Sequence, residues 1–303
     1  MKINVQKLFS LDGHKDCVYA LEGGNKNNLF YSAAGDGMVV EWDLHAPENG
    51  ELVAKMKNSV YAIHYMPHKN LLILGQNFEG IHFLDPETRK ETRSLKLSSA
   101  QIFDIKSFED RIFIGSGDGT FYVVDPGTMT FVKKVKLADN SIRSIAVNRQ
   151  LSEIALGLSD NTIRILDLND YRQKYKINAH KLSVFSLTYN PRNNHLISVS
   201  RDASIKSWNS IDHYELETTV AAHIYAVNSL SISPDGNYFV TGSMDKSIKV
   251  WEMKTFRLLK VIDKSRYAGH ATSVNKVYWS NYKNQIVSCS DDKKISVWEL
   301  SFN

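Results

Sequence analysis

Short apolar runs of alternating character recur along this chain, and each is bounded by turn chemistry. The stretch from His223 to Glu252 shows the unit most clearly. Within it Val227–Ile232, Tyr238–Thr241 and Ile248–Trp251 alternate apolar with polar positions and favour β-branched and aromatic residues. Ser233-Pro234-Asp235-Gly236 separates the first two runs, and Met244-Asp245-Lys246 separates the last two. Alternation with a period of two, punctuated by Pro and Asp-Gly, predicts antiparallel strands joined by tight connections.

The unit repeats. With Trp251 as marker, equivalent residues fall at Trp42, Leu84, Val124, Leu166, Trp208, Trp251 and Trp298, at intervals of 42, 40, 42, 42, 43 and 47 residues. An Asp stands six residues before all but the second of these markers: Asp36, Asp118, Asp160, Asp202, Asp245 and Asp292. A period of roughly 40–45 residues with four short strands per repeat suits radial repetition of small sheets. With Gly-His ahead of the first strand and Trp after the third, the sequence resembles the WD-repeat β-propeller family over essentially its whole length. That resemblance implies an all-β fold, a seven-bladed propeller of four-stranded antiparallel blades.

The expected repeats are approximately 10–57, 58–97, 98–137, 138–178, 179–220, 221–262 and 263–303, forming one domain over 1–303. The last repeat has a third strand, Ile295–Leu300, followed only by Ser301-Phe302-Asn303. Residues 2–9 precede the first Gly-His with no repeat of their own. The economical arrangement pairs this N-terminal strand onto the last blade, because an unpaired edge would leave a row of backbone donors and acceptors open.

Four repeats share a fixed polar set. His14, His180, His223 and His270 each lie 22 residues before Asp36, Asp202, Asp245 and Asp292. Ser32, Ser198, Thr241 and Ser288 stand four residues before those Asp, and Trp42, Trp208, Trp251 and Trp298 stand six after. Ser, His and Asp together suggest a nucleophilic triad, but catalysis needs such a set once. Fourfold repetition favours a structural role, as in the buried tetrad of WD-repeat propellers. The hydroxyl is expected to accept from the His and to relay to the indole N–H. Blades two, three and four lack the His and the Trp, and blade two has Phe78 at the turn Asp position. Those blades are expected to rely on apolar packing, with Leu84, Val124 and Leu166 in place of Trp.

Composition narrows the rest. No apolar run approaches the ~20 residues that span a bilayer, and no stretch of signal-peptide character opens the chain. Membrane attachment and secretion are therefore not expected. Cys17 and Cys289 do not make a disulfide framework and fit a reducing, cytoplasmic setting. The net charge is only +4, so placement of the charges matters more than their sum. Lys and Arg collect on the outer strands, including Lys133, Lys134, Lys136, Arg172, Lys174 and Lys176 of blades three and four. Charge on an exposed edge deters edge-to-edge pairing. A basic rim for nucleic acid is the alternative reading.

Motifs for chemistry are sparse. Gly115-Ser116-Gly117-Asp118-Gly119 lacks the helix and the Gly-Lys-Ser/Thr ending of a phosphate loop and falls at a hairpin turn. His64 and His68 have metal-like spacing, but Pro67 lies between them, and Asp291-Asp292 is already half committed to the polar set. No metal, no cofactor and no enzyme activity are expected.

The resemblance implies that partners bind where the first strands begin and just before the turn Asp. Carried over repeat by repeat, the strand starts are Tyr19, Tyr61, Phe103, Arg143, Phe185, Asn228 and Asn275. The positions before the turns are Gly35, Asn77, Gly117, Ser159, Arg201, Met244 and Asp291. Aromatics and Arg dominate interface hot spots, although aromatics could also pack on themselves in the channel. The expected function is a non-catalytic scaffold that takes a peptide or protein partner at this mouth, as a monomer or as a subunit of a larger complex.

Overall fold

A computed structural model describes residues 3–302, and these form seven four-stranded antiparallel sheets. Blade 1 shows the plan, with strands Val18–Gly23, Leu29–Ala34, Met38–Asp43 and Glu51–Lys55 running outward from the centre in chain order. The same order holds through blade 6. Inner strands of successive blades lie side by side, and Val274–Trp279 of blade 7 lies against Val18–Gly23 of blade 1, so the ring is continuous.

Blade 7 is completed by the N-terminal strand. Ile3–Leu11 pairs antiparallel with Ile295–Phe302, with Val5 opposite Leu300, Lys7 opposite Trp298 and Leu11 opposite Ile295. The register shifts once, between Lys7 and Phe9. Lys2, the expected first residue of this strand, and Asn303 lie outside the described residues. The third strand runs two residues past its expected end at Leu300, and Phe302 stacks on Tyr238 of blade 6 with ring centroids 4.3 Å apart.

The apolar core is not central. It is divided into seven clusters, each spanning one pair of adjacent blades. Leu21, Phe30 and Trp42 of blade 1 meet Val287, Ile295 and Val297 of blade 7. Ile73 and Phe83 of blade 2 meet Ile105 and Ile112 of blade 3. Both faces of every sheet are thus buried, which is why the second strands read as nearly unbroken apolar runs. Each blade has little to bury until its neighbours arrive.

One position in the second strand decides how closely blades approach. It holds Ala33, Gly75, Gly115, Gly157, Val199, Gly242 and Cys289. A Cβ at Gly75, Gly115 or Gly242 would stand 2.7 Å from Ile102, Ile142 or Val274, the start of the next blade's inner strand. Cys289 fills the same place, buried, with its Sγ 3.3 Å from the Val18 carbonyl of blade 1. Its burial is therefore a packing requirement for a small residue.

The 47-residue interval before Trp298 also has a local cause. A helical turn, Lys264–Tyr267, sits between blades 6 and 7, and the Asp263 side chain caps it by accepting the Arg266 N–H at 2.9 Å. Nothing in the alternation announced it.

Removing residues 1–9 takes away most of the strand that pairs with Ile295–Phe302 and uncovers that edge. We expect the truncated chain to melt at markedly lower temperature or to aggregate. An unchanged melting curve would refute closure as the source of stability.

Candidate functional site

The repeated polar set is assembled in each of the four blades that carry it. In blade 6 the Trp251 Nε1–H donates to Thr241 Oγ1 at 2.9 Å, His223 Nε2 lies 2.8 Å from the same oxygen, and His223 Nδ1 lies 2.8 Å from Asp245. Blades 5 and 7 repeat this through Trp208–Ser198–His180–Asp202 and Trp298–Ser288–His270–Asp292. Blade 1 is looser. Trp42 and His14 both reach Ser32, but His14 Nδ1 stands 3.5 Å from Asp36, and its carboxylate instead takes the Lys15 and Met38 N–H groups.

Direction of donation follows from the partners. A carboxylate can only accept, so the neutral imidazole carries its proton on Nδ1 and accepts on Nε2. The hydroxyl then accepts from Trp and donates to His, the reverse of the expected relay. Each Trp also faces the preceding blade: Trp208 packs with Ile163 and Ile165 of blade 4, and Trp251 with Ile197 and Val199 of blade 5. The tetrad therefore ties the turn, the loop ahead of the inner strand and one blade interface together.

Burial alone would raise the tetrad carboxyls. Hydrogen bonding from His270, with the Ala271 and Lys294 N–H groups, outweighs it and holds Asp292 at about 2. Asp202 and Asp245 are likewise held well below the ordinary range by His180 and His223 and by the Ser204 and Ser247 hydroxyls. Burial lowers His14 and His223 despite their Asp partners.

Blade 4 does not rely on apolar packing alone. Buried Arg164 stands in for the missing His, bonding Asp160 and Thr162 at 3.1 Å and Gln173 at 3.1 Å. In blade 3, Ser116 donates to Asp118 within the turn. In blade 2, Phe78 adopts φ +69° at the turn and is half exposed.

At one end of the channel the inner-strand starts converge on a recess of about 680 Å³. Tyr19, Tyr61, Phe103, Arg143, Phe185, Arg201, Asn228, Met244, Asn275 and Asp291 all line it. Gly35, Asn77, Gly117 and Ser159 do not, and Asn77 is buried with its side-chain oxygen accepting the Ile102 N–H. The aromatics touch in sequence: Tyr19 meets Tyr61 edge-on at 4.6 Å, and Tyr61 stacks on Phe103 at 6.0 Å. The Arg143 guanidinium then lies 3.8 Å over Phe103 and 5.0 Å over Phe185. These four rings are only half buried and belong to none of the seven inter-blade cores. The other side of the mouth is polar, with Asn275 holding Asp291 at 2.7 Å and Asn228 bonding Ser273 at 2.9 Å.

The sequence reading missed part of this face. Ile224, Tyr225 and Leu182 are exposed, with Ile224 at 79%, in the loops just after His223 and His180. Met244 lies beside that segment, its N–H bonded to the Ala226 carbonyl, and the Arg201 N–H bonds Ser183 next to Leu182. An available signal was that Ile224-Tyr225 occupies a loop position where other repeats place Lys15-Asp16 and Ala271-Thr272.

Other candidates resolve differently. His64 and His68 are not neighbours: His68 is exposed beside Asp110, whereas His64 joins Glu22 at 2.9 Å and Ser107 at 2.8 Å beside a deeper recess of about 390 Å³. Ser–His–acid connectivity can activate a serine. Ser107 lies within the regular strand Ile102–Phe108, and the contact links the inner strands of blades 1, 2 and 3. The Gly115–Gly119 segment is a hairpin turn with φ +77° at Gly119. On the basic outer strands, Lys136 pairs with Asp139, Arg172 with Asp170, Lys174 with Glu153, and Lys134 covers the Tyr122 ring. Much of that charge is thus engaged within the chain. Among the described residues no helix is long and apolar enough to cross a membrane.

Known proteins agree with this architecture. The family described as WD domain, G-beta repeat matches at residues 5–43, 171–209, 214–252 and 262–299, just over half of the chain. The chain belongs to the WD-repeat family. The four matches each contain one complete tetrad, and blades 2 and 3 and the first three strands of blade 4 fall outside them. The matches starting at 5, 171 and 214 take in most or all of the outer strand of the preceding blade, so sequence repeat and blade are offset by one strand there.

Periodic tryptophan protein 2 homolog of Mus musculus is 18% identical over 232 residues, 68% of this chain and 24% of its own length. The 66 kDa stress protein of Physarum polycephalum is 22% identical over 206 residues, 66% of this chain and 33% of its own length. WD repeat-containing protein SL1-17 of Schistosoma mansoni is 22% identical over 246 residues, 65% of this chain and 80% of its own length. The chain thus spans about a quarter and a third of the first two and most of the third.

Two predictions follow from the tetrad geometry. Thr241→Ala leaves the Trp251 N–H and His223 Nε2 buried without their shared partner, and should cost about 2–3 kcal/mol in urea unfolding. A loss below about 0.5 kcal/mol would show that the network carries no stability, since that is the range of ordinary surface substitutions. Because the folded His14, His223 and tetrad Asp values all lie below their ordinary ones, folded protein binds fewer protons than unfolded chain. Their contribution is complete above about pH 7 and falls in two stages, below about 6.5 for the His and below about 4 for the Asp. The urea midpoint should drop between pH 7.5 and pH 5, and an equal midpoint at both would contradict this.

Proposed function

We propose that this chain is a non-catalytic scaffold that receives a protein or peptide segment on the face around the channel mouth. WD-repeat propellers serve in general as protein-interaction scaffolds; the face and the kind of partner are our reading. The observation that carries it is the surface running from the half-buried rings of Tyr19, Tyr61, Phe103 and Phe185 to exposed Met244, Ile224 and Tyr225. Folding leaves these apolar side chains uncovered although neighbouring interfaces are closely packed, and exposed apolar residues grouped at a concave site mark binding surfaces. The free thiols of Cys17 and Cys289, both held protonated by burial, fit a reducing, cytoplasmic compartment. We take residues 1–303 as one propeller unit, acting alone or within a larger assembly.

Replacing Tyr61, Phe103 and Phe185 together by Ala tests the reading. Affinity capture from native lysate should lose partners that wild type retains, while the melting temperature stays nearly unchanged. Loss of folding would assign the rings to the scaffold, and unchanged capture would move the binding face elsewhere.

A further inference from the structure

Arg143 lies against two aromatic rings and leaves its N–H groups without a partner among the described residues. The guanidinium carbon lies 3.8 Å over the Phe103 ring and 5.0 Å over the Phe185 ring, so the chain's own cation engages both aromatics. Planar guanidinium stacks well on rings, but its hydrogen-bonding capacity lies in the plane, where five N–H groups point outward as a fork. Among the described residues no acceptor is bonded to that fork and no carboxylate pairs with it. None of its nitrogens is sealed from solvent either, and the side chain lines the mouth recess.

The nearby acids are committed elsewhere. Asp104 takes the Ile105 and Ile145 N–H groups and faces Lys106, and Asp291 is bonded by Asn275. Arg201, exposed on the same rim, also has no acidic partner among the described residues, and Lys276 adds a third cation to the lining. Burial draws the Arg143 guanidinium down to about 10, with only Tyr61 acting against it, so it stays charged in neutral solution while uncompensated. A cation in this state favours a planar two-oxygen acceptor arriving from outside.

We propose that the mouth recognises an acidic peptide segment, with an Asp or Glu side chain of the partner docking its carboxylate on the edge of Arg143 and a neighbouring apolar side chain covering Ile224, Tyr225 and Met244. This rests on the mouth being the binding face. A partner cation is disfavoured, because Arg143 already lies over the Phe103 and Phe185 rings that would attract it. We choose a carboxylate over a phosphoryl group because its two oxygens match the two parallel N–H donors of a single guanidinium.

The test is selection of displayed random hexapeptides on the full chain, followed by synthesis of the best binder. Selected peptides should carry Asp or Glu at a fixed distance from an apolar residue. Changing that acid to its amide should weaken binding at least tenfold, as should Arg143→Met in the protein, and combining the two changes should add little. Arg143→Lys should recover only part of the affinity, because it restores the charge without the fork. Melting curves check that Arg143→Met remains folded, and Arg201→Met gives a second, exposed position at which a smaller loss is expected. Selection of basic or purely apolar peptides that lose binding in the Tyr61, Phe103 and Phe185 triple variant would overturn the acidic anchor and leave the mouth reading intact. Binding far tighter to a phosphoserine peptide than to its Glu counterpart would overturn the choice of carboxylate. No enrichment, or binders indifferent to all these variants, would overturn the anchor and the mouth reading together.

Discussion

The structure depends on sheets that have no buried side of their own. Every blade carries apolar side chains on both faces, and each face becomes a core only when the next blade closes over it. A row of such sheets would always end in two exposed apolar faces. Bending the row into a ring removes both ends, and here the removal is completed by a strand from one end of the chain pairing with a strand from the other. The small residues at Gly75, Gly115, Gly157, Gly242 and Cys289 belong to the same constraint, since they let the next inner strand approach closely enough to pack.

The tetrads reinforce this ring unevenly. They occur in blades 1, 5, 6 and 7, a continuous arc that contains the closure, and place each Trp in the interface with the preceding blade. In blades 5, 6 and 7 their side chains satisfy one another, which offsets the cost of burying them and fixes the turn against the loop before the inner strand, whereas His14 Nδ1 of blade 1 is left without a bond. Blade 4 meets the same need with Arg164 and Asp160, a different chemistry in an equivalent turn. Blades 2 and 3, with Leu84 and Val124 in the Trp position, depend more on apolar packing and on turn hydrogen bonds.

A ring also creates a place where neighbouring blades present equivalent positions to one another. At the channel mouth those positions hold Tyr, Tyr, Phe, Arg and Phe on one arc and Asn, Asn on the other. The scaffold does not demand this asymmetry, because the same strands close the ring with either kind of residue. Deeper in the channel Glu22 is paired with His64, and Asp104 faces Lys106.

Much of this was legible in the primary structure, for a physical reason. Repeat length, strand alternation and the His–Asp–Trp spacing are local properties; the first two, repeated seven times, specify the ring, and the third, repeated four times, places the tetrads. Strand-start residues could likewise be placed at the mouth, since inner strands share one direction. Contacts between different repeats were not legible. Spacing cannot say that Arg143 lies over Phe103 and Phe185, that His64 meets Ser107 while His68 faces away, or that Arg164 replaces a histidine. Those depend on side-chain directions converging from separate strands, and on which loop residues remain uncovered after packing, as Ile224 and Tyr225 do. The chain's periodicity determined the platform, whereas its tertiary structure decided which side chains on that platform are left without a partner.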